Sequence, residues 1–211
     1  MTIAVVDYGT GNLRSVVRAA QAAALRIGMD PSQVVRAVRP EQIQAADRVI
    51  FPGQGAMPDC MEGLSRSGLR GALEESLKHK PFLGICVGEQ MLLEHSDEGN
   101  TRGLGLLPGR VIRFPEGLGL KVPHMGWNQV RWTRAHPVLV GLEAAQSRWF
   151  YFVHSYYPQP SLASDTLAEA DYGLTFTCAM ARDNIVATQF HPEKSAAAGL
   201  KLIENFLSWM P

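Results

Sequence analysis

Residues 80–93, Lys80-Pro81-Phe82-Leu83-Gly84-Ile85-Cys86-Val87-Gly88-Glu89-Gln90-Met91-Leu92-Leu93, leave the backbone few options. An apolar run of strand character ends at a cysteine set between two glycines, and a helical pattern starts at once. Strand, tight turn and helix in that order form a nucleophile elbow, whose tip residue is held in a strained conformation with its reactive atom presented outward. The turn needs small residues two positions away on either side, and Gly84 and Gly88 meet that need. A helix beginning at Val87 would aim its unsatisfied N–H groups and positive end at the sulfur. The pattern predicts an α/β sheet with a buried strand turning sharply into a helix, and it makes Cys86 a candidate nucleophile.

The preceding residues keep the same rhythm. Residues 3–6 are continuously apolar, as in a strand covered on both faces. From about Asn12, Leu13, Val16, Val17, Ala20, Ala24 and Ile27 recur at three- and four-residue spacing and predict a helix. Strands are predicted at Val34–Val38 and Arg48–Phe51, the second running into Pro52-Gly53-Gln54-Gly55, and one or two helices over 57–79. Beyond the elbow the pattern changes to short strands at 110–114, 127–132, 149–153, 166–170, 174–181 and 185–190. A last helix spans Ala196 to Met210, with Leu200, Ile203, Phe206 and Leu207 on one face. The expected fold is α/β, an open, mostly parallel twisted sheet flanked by helices, with an additional antiparallel β layer in the second half. Without repeats or linkers, residues 1–211 read as one domain, since such folds reach roughly 200–250 residues undivided.

An elbow cysteine needs a base, and the base needs an acceptor to orient it. Of six histidines, His191 stands just beyond a predicted strand, where open α/β sheets place their sites. In an extended segment Glu193 would face the same way as His191, and Pro192 between them restricts the backbone. Cys86, His191 and Glu193 are therefore the candidate triad. The N–H of Val87 is one expected oxyanion donor, and the glycine-rich Gly53-Gln54 segment at a neighbouring strand end supplies the other. Cys60 and Cys178 read as small buried hydrophobes, the commoner role of a cysteine.

Several classes are excluded. Twenty basic and twenty acidic residues cancel, so no nucleic-acid or anionic-membrane surface is expected. No apolar run approaches the ~18 residues of a membrane span, and the N-terminal residues lack the pattern of a signal peptide. Three scattered cysteines suit neither a disulfide framework nor a zinc site and point to the cytoplasm. Gly9-Thr10-Gly11 lacks the features of a nucleotide cradle. No cofactor and no metal are expected.

The Gly-x-Cys-x-Gly elbow followed by Gln90, with Gln189-Phe190-His191-Pro192-Glu193 roughly 100 residues later, resembles the class I (triad-type) glutamine amidotransferases along the whole chain. That resemblance implies attack of the cysteine on the side-chain amide of glutamine, release of ammonia, and hydrolysis of the glutamyl thioester by water. Asp7–Val16, Pro52–Gly55, Pro123-His124-Met125-Gly126-Trp127-Asn128 and Phe152–Tyr156 are similar to the branch of the family that serves histidine biosynthesis. By that similarity Gln90, His154, Ser155 and Tyr156 help hold L-glutamine. Tyr8, Asn12, Met125, Trp127 and Asn128 face a partner, a cyclase subunit of (β/α)8 barrel fold, in a heterodimer through which ammonia passes. Protonated ammonia is no nucleophile, so glutamine hydrolysis should wait for the acceptor, and a Gly53–Gln54 amide turned away from the site at rest is the expected switch. Glu89 and Gln54 depart from the family's commoner apolar residues. The alternatives are a glutaminase subunit for anthranilate, aminodeoxychorismate or pyridoxal phosphate synthesis, or a free-standing cysteine hydrolase.

Overall fold

The computed structural model describes residues 1–9, 13–117, 119–144 and 148–211. The first half alternates as expected: β1 (Ile3–Val6), α1 (Leu13–Arg26), β2 (Val34–Ala37), α2 (Pro40–Ala45), β3 (Arg48–Gly53), α3 (Met57–Ser67), α4 (Arg70–Ser76), β4 (Phe82–Cys86) and α5 (Val87–Gln90). The remainder comprises β5 (Leu93–Ser96), β6 (Thr101–Arg102), β7 (Leu107–Arg113), β8 (His124–Trp132), β9 (Trp149–His154), β10 (Tyr156–Pro160), β11 (Thr166–Asp171), β12 (Thr175–Arg182), β13 (Ile185–Thr188) and α6 (Ala196–Ser208).

Nine strands form one sheet in the order β2-β1-β3-β4-β13-β12-β11-β8-β9. From β2 to β13 the pairings are parallel, and from β13 to β9 antiparallel. Parallel pairing requires crossovers, and α1, α2 and the α3–α4 pair supply them. The antiparallel strands thus mostly extend the main sheet. The additional layer is a second sheet, β10-β7-β5-β6, in which β5 and β7 are themselves parallel.

Two differences from the sequence expectation bear on the site. The helix after Cys86 is a single turn, so it contributes little macrodipole. After Met91 the chain leaves helical geometry because residues 104–107 hydrogen-bond to the carbonyls of Met91, Leu92 and Leu93, at 2.8–3.0 Å. Tertiary pairing here overrides the helical preference of the Met-Leu-Leu run. The second difference is β10, which follows β9 after one residue and carries the chain from the large sheet to the small one.

Between the sheets lies an aromatic layer. Phe114 contacts Tyr157, Phe176 and His154 with ring centroids 4.7, 5.2 and 5.3 Å apart, and His124 stacks on Tyr172 and Phe152. Phe114, Phe152 and Phe176 are almost fully buried. Truncating any one of them to alanine would cost about 3–5 kcal/mol. On one face of the parallel strands α1 packs against α6, whose Ile203, Phe206 and Leu207 are buried.

Candidate active site

Cys86 ends β4 and caps α5 with φ 55° and ψ −113°, a conformation that L residues avoid. Close backbone packing enforces it. A Cβ added to Gly88 would lie 2.0 Å from the Phe51 carbonyl oxygen, and one on Gly53 would lie 2.6 Å from the Gly88 nitrogen. One on Gly84 would press on Ala187 and the Gly88 carbonyl at 3.1 Å. These glycines let β3, α5 and β13 meet at the elbow, and the strand register sets Gly53 directly beside Cys86. The expected oxyanion residues Gly53, Gln54 and Val87 therefore lie beside Cys86. Cys60, on α3, donates its S–H to the Gln54 carbonyl at 3.4 Å and tethers that loop from behind.

β13 ends at Thr188, and His191 lies just past it with extended angles. Glu193 is not in an extended segment but in a 3-10 turn, Pro192–Lys194, which brings its carboxylate back to the ring. His191 Nδ1 and Glu193 Oε1 are 2.8 Å apart, with both side chains buried. Ser195 donates its hydroxyl to the His191 carbonyl at 2.6 Å and steadies the segment. The other ring nitrogen, Nε2, is buried without a conventional hydrogen bond. Burial by itself would lower the His191 pKa. Cys86 and Glu193 outweigh it and raise the value to about 9, which places the sulfur within electrostatic reach of the ring. The structure thus brings the three predicted triad residues together.

Over Cys86 opens a cavity of about 250 Å³, lined by Gln54, Gly55, Val87, Gln90, Glu98, Pro123, Val153, His154, Ser155, Tyr156 and His191. Its size is just below the usual range for ligand pockets and suits a single amino acid. Gln90, His154, Ser155 and Tyr156 all reach it. Both ring nitrogens of His154 are engaged, however, with His124 at 3.0 Å and the Tyr156 carbonyl at 2.8 Å, so the ring supplies a wall and no polar contact. Glu98 was not foreseen in the sequence, because it belongs to a short turn with no motif. Its Oε2 accepts from the Met57 N–H at 2.8 Å, which fixes the carboxylate at the cavity wall.

Glu89 is fully buried beside the elbow, and burial, then Cys86, hold its carboxyl well above the usual range. The departure from an apolar residue thus places a carboxyl whose protonated form is favoured by burial next to Cys86. Buried Cys178 is likewise pushed up, first by desolvation and then by Glu89. Cys60, Cys86 and Cys178 form no disulfide.

The residues expected at a partner surface divide. Period-two alternation on β8 turns Met125 and Trp127 outward, 63% and 51% exposed, with Trp127 edge-on to Tyr151. Asn128 points to the other face, where its amide meets His124 at 3.3 Å and the Asp171 carbonyl at 2.9 Å. Tyr8 is buried against Phe51, and its hydroxyl donates to the Pro52 carbonyl at 3.0 Å, so its side chain supports the oxyanion strand. Asn12 lies outside the described residues. Among those residues no helix is long and apolar enough to cross a membrane.

The family model described as glutamine amidotransferase class-I matches residues 4–209. Among curated relatives, the "Imidazole glycerol phosphate synthase subunit HisH" of Chromobacterium violaceum is 53% identical, covering 99% of this chain and 98% of the relative. The protein of the same name from Neisseria gonorrhoeae is 50% identical over 99% and 100% of the two chains. A crystal structure titled glutamine amidotransferase superposes with a TM-score of 0.70 at 17% identity, covering 99% of this chain and 98% of the other. A glutamine amidotransferase from Thermotoga maritima gives 0.61 at 17% identity, over 99% and 83%. At that identity these two establish the fold alone.

Proposed function

The chain belongs to the class I glutamine amidotransferases, and from that premise we infer that it is the glutaminase subunit of an imidazole glycerol phosphate synthase, acting in histidine biosynthesis. It is an enzyme that works as one subunit of a two-subunit synthase. The finer assignments are these. Cys86 attacks the side-chain carbonyl of L-glutamine, the oxyanion forms against the Val87 N–H and the Gly53-Gln54 segment, and a glutamyl thioester results as ammonia leaves. His191 takes the thiol proton and gives it to the departing amine, and Glu193 holds the tautomer and stabilises the imidazolium. Water, deprotonated by His191, then cleaves the thioester to glutamate and restores the thiol. The observation that carries this assignment is His191 set between Glu193 and Cys86, with its charged form favoured up to about 9.

In the cavity, Glu98 supplies a carboxylate for the α-ammonium group of glutamine, while Gln90, Ser155 and Tyr156 contribute polar contacts. The partner is a cyclase subunit of (β/α)8 fold, seated on the outward Met125–Trp127 face of β8, and it receives the ammonia. An exposed apolar pair on the outer face of β8 supports that placement. The core runs without interruption from β1 to α6, in keeping with one domain over residues 1–211. Three cysteines far apart in sequence, with no disulfide framework expected of them, suit a cytoplasmic setting.

The test is glutamate release by the purified chain alone, then with the cyclase, then with the cyclase and its nucleotide substrate. Stepwise stimulation is expected. Vigorous hydrolysis by the isolated chain would instead indicate a free-standing hydrolase. A glutamine-mimicking alkylator should add its mass at Cys86, and an adduct at Cys60 or Cys178 would sink the triad.

A further inference from the structure

We propose that the Gln189 side chain is a further catalytic group, donating a hydrogen bond to the Cys86 sulfur, and that His124 and His154 are positioning residues that hold it there through the Tyr156 carbonyl. The proposal rests on Cys86 being the nucleophile.

Gln189 is fully buried, and its Nε2 lies 3.7 Å from Cys86 Sγ, a hydrogen-bond distance for sulfur. An amide can present either its N–H or its oxygen, and only the N–H helps a sulfur gaining negative charge. The neighbours decide which faces the sulfur. Gln189 Oε1 accepts from Gln90 Nε2 at 2.9 Å, and the same Nε2 donates to the Tyr156 carbonyl at 3.1 Å. A carbonyl can only accept. It therefore fixes Gln90 with its nitrogen forward, and Gln90 in turn fixes Gln189 with its oxygen back and its N–H on the sulfur.

The second lone pair of the Tyr156 carbonyl takes the Nδ1–H of His154 at 2.8 Å. Burial in the aromatic layer lowers the His154 pKa to about 3 and the His124 pKa to about 4, so each ring carries one proton at neutral pH. With that proton on Nδ1, His154 Nε2 must accept, and His124 Nδ1 donates to it at 3.0 Å. His124 Nε2 is then an acceptor for the Asn128 amide at 3.3 Å, whose other N–H goes to the Asp171 carbonyl at 2.9 Å. Every proton in the network is assigned, and from Asn128 through His124 and His154 the donors run inward from β8 to Tyr156. Were His154 in the other tautomer, its Nδ1 lone pair would face the carbonyl and loosen the anchor of the glutamine arm.

The test uses the two-subunit synthase with saturating nucleotide substrate. Gln189→Leu should lower the glutaminase kcat by roughly 10–100-fold. His124→Phe keeps the aromatic packing but removes the donor, and should lower kcat by about tenfold. Because His124 acts through Gln189, the double variant should be no slower than Gln189→Leu alone. His124→Asn, which places an amide N–H near the Nδ1 position, should restore most of the loss. Nitrogen-15 spectra of the wild-type histidines should show His124 and His154 neutral and protonated on Nδ1 at pH 7. Multiplying effects in the double variant, or a proton on Nε2 of either ring, would overturn the inference. If His124→Phe does not fold, the wild-type spectrum still decides. Alkylator labelling of Cys86 tests the premise separately, so labelling without the predicted tautomers rejects this inference alone.

Discussion

Two regions serve Cys86, the corner where β3 meets the elbow and the layer where β8 faces β10, and they are built by opposite means. At the corner backbone touches backbone: Gly53, Gly84 and Gly88 are there because a Cβ would collide with main-chain atoms or Ala187. In the layer side chains do the positioning, through histidines, glutamines and one carbonyl enclosed by Phe114, Phe152, Tyr172 and Phe176. The first kind of order is steric and indifferent to pH. The second consists of proton positions and holds only while both rings stay neutral. One molecule thus holds Cys86 by shape on one side and by protonation state on the other.

That contrast can be broken or sharpened by measurement, beginning with the largest effects. Cys86→Ala should reduce glutamine hydrolysis by at least about 10⁴-fold while leaving the unfolding midpoint nearly unchanged. Residual turnover above that level would separate the elbow from the chemistry. Glu193→Gln keeps the shape but loses the charge, and kcat should fall by roughly 10²–10⁴-fold. Its alkaline limit should also move below about 9, because Glu193 helps to raise His191. An unmoved limit would show that Cys86 alone sets it.

The steric side predicts that Gly88→Ala destabilises by about 3 kcal/mol or more in urea unfolding, since its Cβ would meet a backbone oxygen at 2.0 Å. Gly55→Ala, at φ 98° but with open space, should cost only about 1–2 kcal/mol. Equal losses would refute the close-packing account of the corner.

On the proton side the sign is definite. His124 and His154 have folded pKa values of about 4 and about 3, below the ordinary 6.5. Stability should be insensitive to them above pH 6.5 and fall as pH drops from about 6.5 towards 3–4, because only the unfolded chain binds those protons. His136, also about 4, acts in the same window. His191 has the opposite sign: its contribution is complete below 6.5 and lost as pH rises through about 9. Urea titrations across pH check both limbs, and His124→Asn should flatten the acid limb. On the outer face of β8, Trp127→Ala should leave folding intact and weaken association with the cyclase by about 1–3 kcal/mol in calorimetry.

Much of the corner was legible in advance because its signals are local. Glycines at fixed offsets from Cys86, a strand ending before His191, and Glu193 two residues on all lie within short windows. Even there details escaped: Glu193 reaches His191 through a 3-10 turn, and the helix after the elbow is one turn long. α2, β5 and β10 were not foreseen, since elements this short take their form from the neighbours they pack against or pair with. Glu98 enters the cavity from a turn that has no pattern of its own.

By itself, then, the sequence determined the alternating α/β frame and pointed to Cys86, His191 and Glu193 as a candidate nucleophile, base and acceptor, because each follows from residue type and spacing along a few contiguous residues. Only the tertiary structure decided the rest. It buried Tyr8, sent Trp127 and Asn128 to opposite faces, and joined Asn128, His124, His154, Tyr156, Gln90 and Gln189 into one path to the sulfur. Hydrogen-bond direction depends on which donor meets which acceptor in space. These groups come from segments up to 99 residues apart, so no local pattern could encode it.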